Sequence, residues 1–111
     1  MAVFRMYTGA DGQTHLEEQS LGSHPVLTSP QNAKHIVFRE MPAGTFIDWH
    51  PAPQRQYVII LSGELEIGFG DGTTRRFGAG DARLVDDTTG QGHTTRAIGD
   101  APVLTAVVPL A

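Results

Sequence analysis

The sequence predicts an all-β protein, a small barrel or sandwich made of one domain. After about residue 33 it is a series of short apolar or alternating runs, each broken by glycine, proline or Asp-Gly. No segment shows the 3.6-residue period of an amphipathic helix. A length of 111 residues allows one hydrophobic core. We expect a single domain over residues 1–111, with an N-terminal strand and a loop-rich approach in 1–33 and the barrel in 34–111.

The predicted strands follow from these runs and from the turn residues between them. They are residues 3–8, 35–41, 45–50, 56–62, 64–70, 74–78, 81–86, 93–98 and 102–108. The clearest alternation is in 64–69, where Leu65, Ile67 and Phe69 share the face opposite to Glu64 and Glu66. This strand is expected to face the core on one side and water on the other.

Two segments between the strands need separate interpretation. Residues 11–32 are polar and irregular, with prolines at 25 and 30, and indicate a loop with at most a helical turn at 16–19. The glycine-rich tract 68–81 resembles a phosphate-binding loop in composition only. Because Asp71-Gly72 lies between two strands and no helix follows, we expect a hairpin turn there.

The run "YVIIL" (57–61) is apolar at every position. Both faces of such a strand should be covered, one by the barrel interior and one by something outside it. A second copy of the chain is the expected cover, which predicts a homodimer.

Composition excludes several classes of function. A net charge of −4, with eight basic residues spread along the chain, argues against nucleic-acid binding. No apolar run approaches the ~20 residues of a membrane span, and the first residues lack the apolar core of a signal peptide, so a cytoplasmic location without membrane contact is expected. Cysteine is absent, so nitrogen and oxygen atoms must hold any metal.

Strand alternation brings a few polar residues together. It puts Asp48 on the same face as His50, and it directs Gln56 and His93 to the inward faces of their own strands. If these faces line one barrel, its mouth holds His50, Gln56 and His93, with Asp48 one step deeper. A small polar ligand is the expected partner, and two further candidates for binding it are Gln54 and Asp87.

The spacing of these residues resembles the first motif of the cupin family. That motif is Gly, five residues, His-X-His, three or four residues, Glu, six residues, Gly. Its positions fall here on Gly44, His50, Ala52, Gln56 and Gly63, so one His is replaced by Ala and the Glu by Gln.

The stretch "GDARLVDDTTGQGHTTRA" is similar to the second cupin motif. Gly80 and His93 match it, although His93 lies two residues further along than usual and Ala97 stands where Asn is usual. The chain also resembles small single-domain cupins of the cupin 2 type that carry a "DTTG-GH" second motif.

The resemblance implies a jelly-roll barrel whose mouth often holds Fe, Mn, Ni or Zn on three His and one Glu. His50 and His93 remain as ligands here, and Gln56 offers a carbonyl dipole in place of a carboxylate, which weakens the hold on a divalent ion. The cofactor is therefore either absent or a divalent transition metal held by His50, Gln56 and His93.

Three functions stay open at this point. The first is a binding module for a small polar molecule, at most weakly metallated. The second is a metal-dependent dioxygenase, isomerase or lyase that uses His50 and His93 with Asp48 or Gln56. The third is metal-free acid and base catalysis by His93, which requires Asp86 or Asp87 within hydrogen-bond reach of the ring.

Overall fold

The computed structural model describes residues 2–111 and is built almost entirely of β-strands. A single 3₁₀ turn lies at Pro25–Thr28 within the described part. In chain order the strands are β1 (Val3–Thr8), β2 (Thr14–Gln19), β3 (Val37–Met41), β4 (Phe46–His50), β5 (Gln56–Ser62), β6 (Glu64–Gly68), β7 (Thr74–Gly78), β8 (Ala82–Asp86), β9 (His93–Ile98) and β10 (Val103–Pro109). The all-β prediction is confirmed. Over residues 2–111, no helix has the length and apolar character needed to cross a membrane.

The strands form two sheets that face each other. One has six strands in the order β2-β1-β8-β5-β10-β3, and the other has four in the order β4-β9-β6-β7. Neighbouring strands are antiparallel except β1 and β8, which are parallel. The core between the sheets is formed by Phe4, Met6, Ile60, Leu65, Ile67, Phe69, Phe77, Ala97 and Val103. This two-sheet arrangement is that of a jelly roll.

Each strand predicted from the sequence is present, with ends that agree to within two residues. The hairpin at Asp71-Gly72 is also confirmed, since Phe69 N–H donates to the carbonyl of Thr73 and Gly72 has φ +88°. Such a φ favours glycine because other residues clash with their own backbone there.

The interpretation of residues 11–32 as a loop was wrong for 14–19. This segment is strand β2, paired in register with β1, and the helical turn expected at 16–19 is absent. Pairing overrides local preference here, because Leu16 lies opposite the buried Met6 and Thr14 is buried, while His15 and Glu17 are exposed. Since β1 pairs with β8 inside the six-stranded sheet, the barrel includes this N-terminal region and does not begin at residue 34.

The outer face of the apolar strand β5 is partly covered by the chain itself. Tyr57 donates a hydrogen bond of 3.0 Å to the side chain of Gln31, and Leu27 and Gln31 adjoin Tyr57 and Ile59 at one surface depression. Leu61, further along the strand, stays half exposed. The segment after β2 therefore supplies part of the cover that we expected from a second subunit.

Strand β4 contains a bulge that changes which side chains face inward. Ile47 lies opposite Thr95 and His50 lies opposite His93, so three steps along β4 match two steps along β9. A bulge of this kind reverses the alternation beyond it. Ile47 and His50 therefore both face the interior, and Asp48 does not.

Candidate functional site

A cavity of about 180 Å³ opens at one end of the barrel, between the two sheets. His50, Gln56 and His93, which come from three different strands, all line it. The apolar part of its wall consists of Met41, Ile47, Ala52, Pro53, Val58, Leu65, Val85 and Val107, and the remaining polar lining of Arg39, Arg83, Thr95 and Thr105. The cavity is thus mostly apolar, with a few polar groups set among hydrocarbon.

His93 is held by a buried carboxylate. Its Nδ1 lies 2.5 Å from Oδ2 of Asp87, and the hydroxyl of Thr14 donates to the same oxygen at 2.7 Å. Asp87 is completely buried, and its carbonyl accepts a hydrogen bond from Ala52 N–H. Because a carboxylate only accepts hydrogen bonds, it fixes the proton of the neutral ring on Nδ1. The other ring nitrogen, Nε2, is left as an acceptor.

His50 lies beside His93 and is oriented in a similar way. Its Nδ1 is 2.7 Å from the backbone carbonyl of Asp48, and the two imidazole centroids are 4.6 Å apart. A carbonyl also accepts only, so Nδ1 donates and Nε2 is left as the acceptor of the neutral ring. Gly92, with φ +76°, passes so close to the carbonyl of His50 that a side chain there would overlap it.

The other predicted binding residues lie away from the cavity wall. Asp48 is exposed, because of the bulge in β4, and its carboxylate accepts a hydrogen bond from Trp49 N–H. Gln54 lies outside and accepts from Lys34 at 3.4 Å. The predicted positions of Asp48 and Gln54 in the pocket were therefore wrong. Asp87 does not line the cavity either and contacts it through His93.

Two further arginines, Arg55 and Arg96, lie on the outside. Arg55 lies 3.5 Å from Asp86, which also pairs with Arg5 at 3.1 Å. Arg96, which lies three residues after His93 and so on the opposite face of β9, packs over the exposed ring of Phe46. The two ion pairs of Asp86 and the stack of Arg96 on Phe46 all lie outside the cavity lining.

The cavity contains a residue that sequence reasoning missed, Arg83. It is 4% exposed, lies on the inward face of β8 opposite Val58, and lines the cavity. Burial lowers the pKa of its guanidinium to about 10, although the nearby charge of Asp87 acts in the opposite direction. The sequence signal for Arg83 was a charged residue inside the run "ARLVD". Both faces of that strand carry apolar residues, so strand alternation did not show which face is internal.

A family model described as "Cupin domain" matches residues 37–109 of the chain. The chain belongs to the cupin family. This confirms the resemblance seen in the two motifs, and the jelly-roll architecture agrees with it. A search of curated protein sequences found no match.

Solved structures agree with the cupin fold. The DMSP lyase DddQ of Ruegeria pomeroyi is 25% identical with a TM-score of 0.54, over 68% of this chain and 37% of the lyase. A predicted oxalate decarboxylase of Thermotoga maritima is 18% identical with a TM-score of 0.52, over 99% and 94% of the two chains. The Cnp3 cupin domain of Schizosaccharomyces pombe is 19% identical with a TM-score of 0.51, over 100% and 83%. This cupin thus spans little more than a third of the lyase it resembles.

The donor set of this cupin fits a divalent metal poorly. Nowhere in residues 2–111 do three His, Asp or Glu side chains come together in a group that could hold a metal ion. The cavity offers two imidazoles and the neutral amide of Gln56, while the family's second His position is occupied by Ala52. A buried Arg83 in the same wall adds a positive charge that disfavours a cation.

Proposed function

We propose that this cupin binds a small polar molecule in the barrel cavity through His50, Gln56 and His93. The observation that carries the proposal is that three strands direct these side chains into one cavity. At about 180 Å³ the cavity is smaller than the roughly 300–1,000 Å³ of drug-sized sites, which favours a small metabolite.

The polar groups define what the ligand must offer. The free Nε2 atoms of His50 and His93 act as acceptors, so they select hydroxyl or amine donors on the ligand. The amide of Gln56 both donates and accepts, and it suits a hydroxyl or a carbonyl. The apolar wall packs against a hydrocarbon portion.

The test is a screen of small polar metabolites by thermal shift, followed by mapping of each binder through NMR chemical-shift changes. Gln56→Ala and His50→Ala are each expected to weaken a mapped binder by about ten-fold, the loss of one hydrogen bond. Gln54→Ala and His24→Ala are matched controls, because both residues are bonded outside the cavity. Binders that map elsewhere, or that tolerate the cavity variants, would contradict the proposal.

A second candidate function is metal-free proton transfer at His93. The contact of 2.5 Å between Nδ1 and Asp87 favours it, since a buried carboxylate orients the ring and stabilises the imidazolium formed when Nε2 takes a proton. Turnover of a bound metabolite, followed by NMR over hours, tests this function. Asp87→Asn is expected to slow turnover more than ten-fold and to change binding little, whereas equal turnover by wild type and variant would dismiss it.

Metal content decides between these candidates and a metal-dependent cupin enzyme. Protein purified without chelators and without a histidine tag is to be analysed by plasma mass spectrometry. Fe, Mn, Ni or Zn at one equivalent, lost together in His50→Ala and His93→Ala, would replace both candidates with the metal-dependent one.

We also propose that two copies associate through the outer face beside the edge strand β3. Phe38 is 69% exposed there, and Leu104 of the adjacent strand β10 lies on the same outer face of the sheet. An edge strand with unpaired backbone groups and apolar neighbours suits two-fold pairing with its own copy. Light scattering on Phe38→Glu is expected to give a monomer where wild type gives a dimer, and a monomeric wild type would contradict this proposal.

A further inference from the structure

Arg83 is a buried cation that forms no ion pair with any residue of 2–111, although the buried carboxylate of Asp87 is near enough to act on its charge. Among the described residues its hydrogen-bond partner is the sulfur of Met6, a weak acceptor, at 3.6 Å, and its Nε is buried without a partner. The guanidinium also lies 5.4 Å from the centroid of the Phe77 ring. Neither contact replaces the hydration that a guanidinium has in water.

The burial of Arg83 without an ion-pair partner is unfavourable in free energy. Buried arginines are normally paired with carboxylates, because the desolvation of an unpaired charge is costly. The lowered pKa of Arg83 has the same origin, and the charge of Asp87 only partly opposes it. Since the side chain lines a cavity, an anion entering that cavity has access to a preformed partner.

We propose that Arg83 binds the carboxylate of a small monocarboxylic acid inside the barrel. This inference rests on the proposed function and names the class of ligand. The planar guanidinium matches a carboxylate in a two-bond geometry, and the hydrogen bonds are charge-assisted.

The surroundings favour a monocarboxylate over a phosphate or a dicarboxylate. Arg83 is the single buried cation of the cavity wall, and the buried carboxylate of Asp87 disfavours a second negative charge on the ligand. Arg39, which faces the cavity opposite Thr105 but is exposed, lies where it attracts an anion at the entrance.

The register of the strands sets the length of the ligand. Arg83 lies opposite Val58, and Val85 lies opposite Gln56, so the backbone positions of Arg83 and Gln56 are two residues apart along the sheet. Two residues of a strand span roughly 6.6 Å. At these two levels the wall is apolar, with Val58 and Val107 beside Arg83 and Val85 beside Gln56. A short hydrocarbon body with its carboxylate on Arg83 then reaches His50, Gln56 and His93 with its other end.

The experiment uses acetate, butyrate, 4-hydroxybutyrate and hexanoate as probes, with the corresponding primary amides as uncharged controls. Calorimetry gives the affinity, and the Arg83 Nε–H signal in a nitrogen-15 NMR spectrum reports the contact directly. We expect the four- to six-carbon acids to bind and to shift this signal, and the amides to bind at least ten-fold more weakly.

Arg83→Met is expected to weaken acid binding by roughly ten- to a hundred-fold. Arg76→Met is the matched control, because Arg76 pairs with Glu64 and Glu66 on the outer surface. Arg83→Lys keeps the charge but loses the planar pair of donors, so it should restore part of the affinity.

Different results identify different failures. Acids that bind wild type and Arg83→Met equally, amides that bind as tightly as acids, or no binding of any acid would each overturn the assignment of Arg83. Neutral metabolites whose affinity depends on Gln56 and His50 would at the same time leave the proposed function intact. Acid binding that depends on Arg83 but not on Gln56 or His50 would contradict the proposed function instead.

Discussion

The imidazole of His93 and the carboxylate of Asp87, six residues earlier in the chain, form a buried hydrogen bond of 2.5 Å. The hydroxyl of Thr14, from the opposite end of the sequence, donates to the same carboxylate oxygen. Because the backbone carbonyl of Asp87 also anchors Ala52, this one residue connects both motif regions of the cupin with β2. It orients the cavity histidine and holds the fold together.

Removal of the Asp87 carboxylate should therefore destabilise the protein. Asp87→Ala leaves the buried Nδ1 of His93 and the hydroxyl of Thr14 without their acceptor, at about 1–3 kcal/mol for each unsatisfied group. We expect a loss of about 2–5 kcal/mol in the free energy of unfolding, measured by urea denaturation.

Asp86→Ala is the control for this change. Its partners Arg5 and Arg55 are partly exposed, so we expect a loss of at most about 1 kcal/mol. Equal losses at positions 86 and 87 would show that the buried hydrogen bonds of Asp87 contribute little.

Gly92→Ala should separate the strands that carry the two histidines. A methyl group at this position overlaps the carbonyl of His50, and the positive φ adds backbone strain of about 1–2 kcal/mol. Gly99→Ala has the same kind of φ but meets nothing within 4 Å, so it isolates the strain. We expect Gly92→Ala to lose about 1–3 kcal/mol more than Gly99→Ala in thermal denaturation, and a smaller difference would mean that the loop adjusts freely.

Arg83→Met should stabilise the protein at neutral pH when no ligand is added. The variant removes a buried charge that forms no ion pair within residues 2–111 and replaces it with an apolar side chain that suits the neighbouring Met6 and Phe77. We expect the free energy of unfolding to rise by about 1–3 kcal/mol, while the surface change Arg76→Met leaves it within about 1 kcal/mol of wild type. A strong loss of stability in Arg83→Met would show that the guanidinium supports the core.

The advantage of Arg83→Met should shrink at alkaline pH. Burial lowers the pKa of Arg83 to about 10 in the folded protein, so the folded state releases this proton at a lower pH than the unfolded chain does. In this range the unfolded state binds more protons, so the contribution of Arg83 to stability rises with pH. The difference between variant and wild type is expected to narrow by about 1 kcal/mol between pH 8 and pH 11, and a constant difference would contradict the depressed pKa.

Local patterns were sufficient to predict most of the fold. The alternation in Glu64–Gly68 and the Asp-Gly turn after it predict one hairpin register. One face of the strand must be apolar, and glycine must turn the chain. Strand β2 was missed because its sequence, "THLEEQ", has one large apolar residue, and its stability comes from pairing with β1 rather than from its own pattern.

The site was predicted less completely than the fold, for two physical reasons. Strict alternation placed Asp48 with His50, and a bulge, which depends on pairing with β9, moved it outside. Arg83 lies in a strand whose two faces are both buried, so its direction depends on the sheet order and not on its neighbours in sequence.

In the bulged strand β4, Trp49, the single tryptophan of the chain, lies on the surface directly beside His50. The indole is neither in the core nor in the cavity wall, yet it is one peptide bond away from a side chain that lines the cavity. Its fluorescence therefore provides an intrinsic optical reporter for events at His50, and no label has to be attached to follow them.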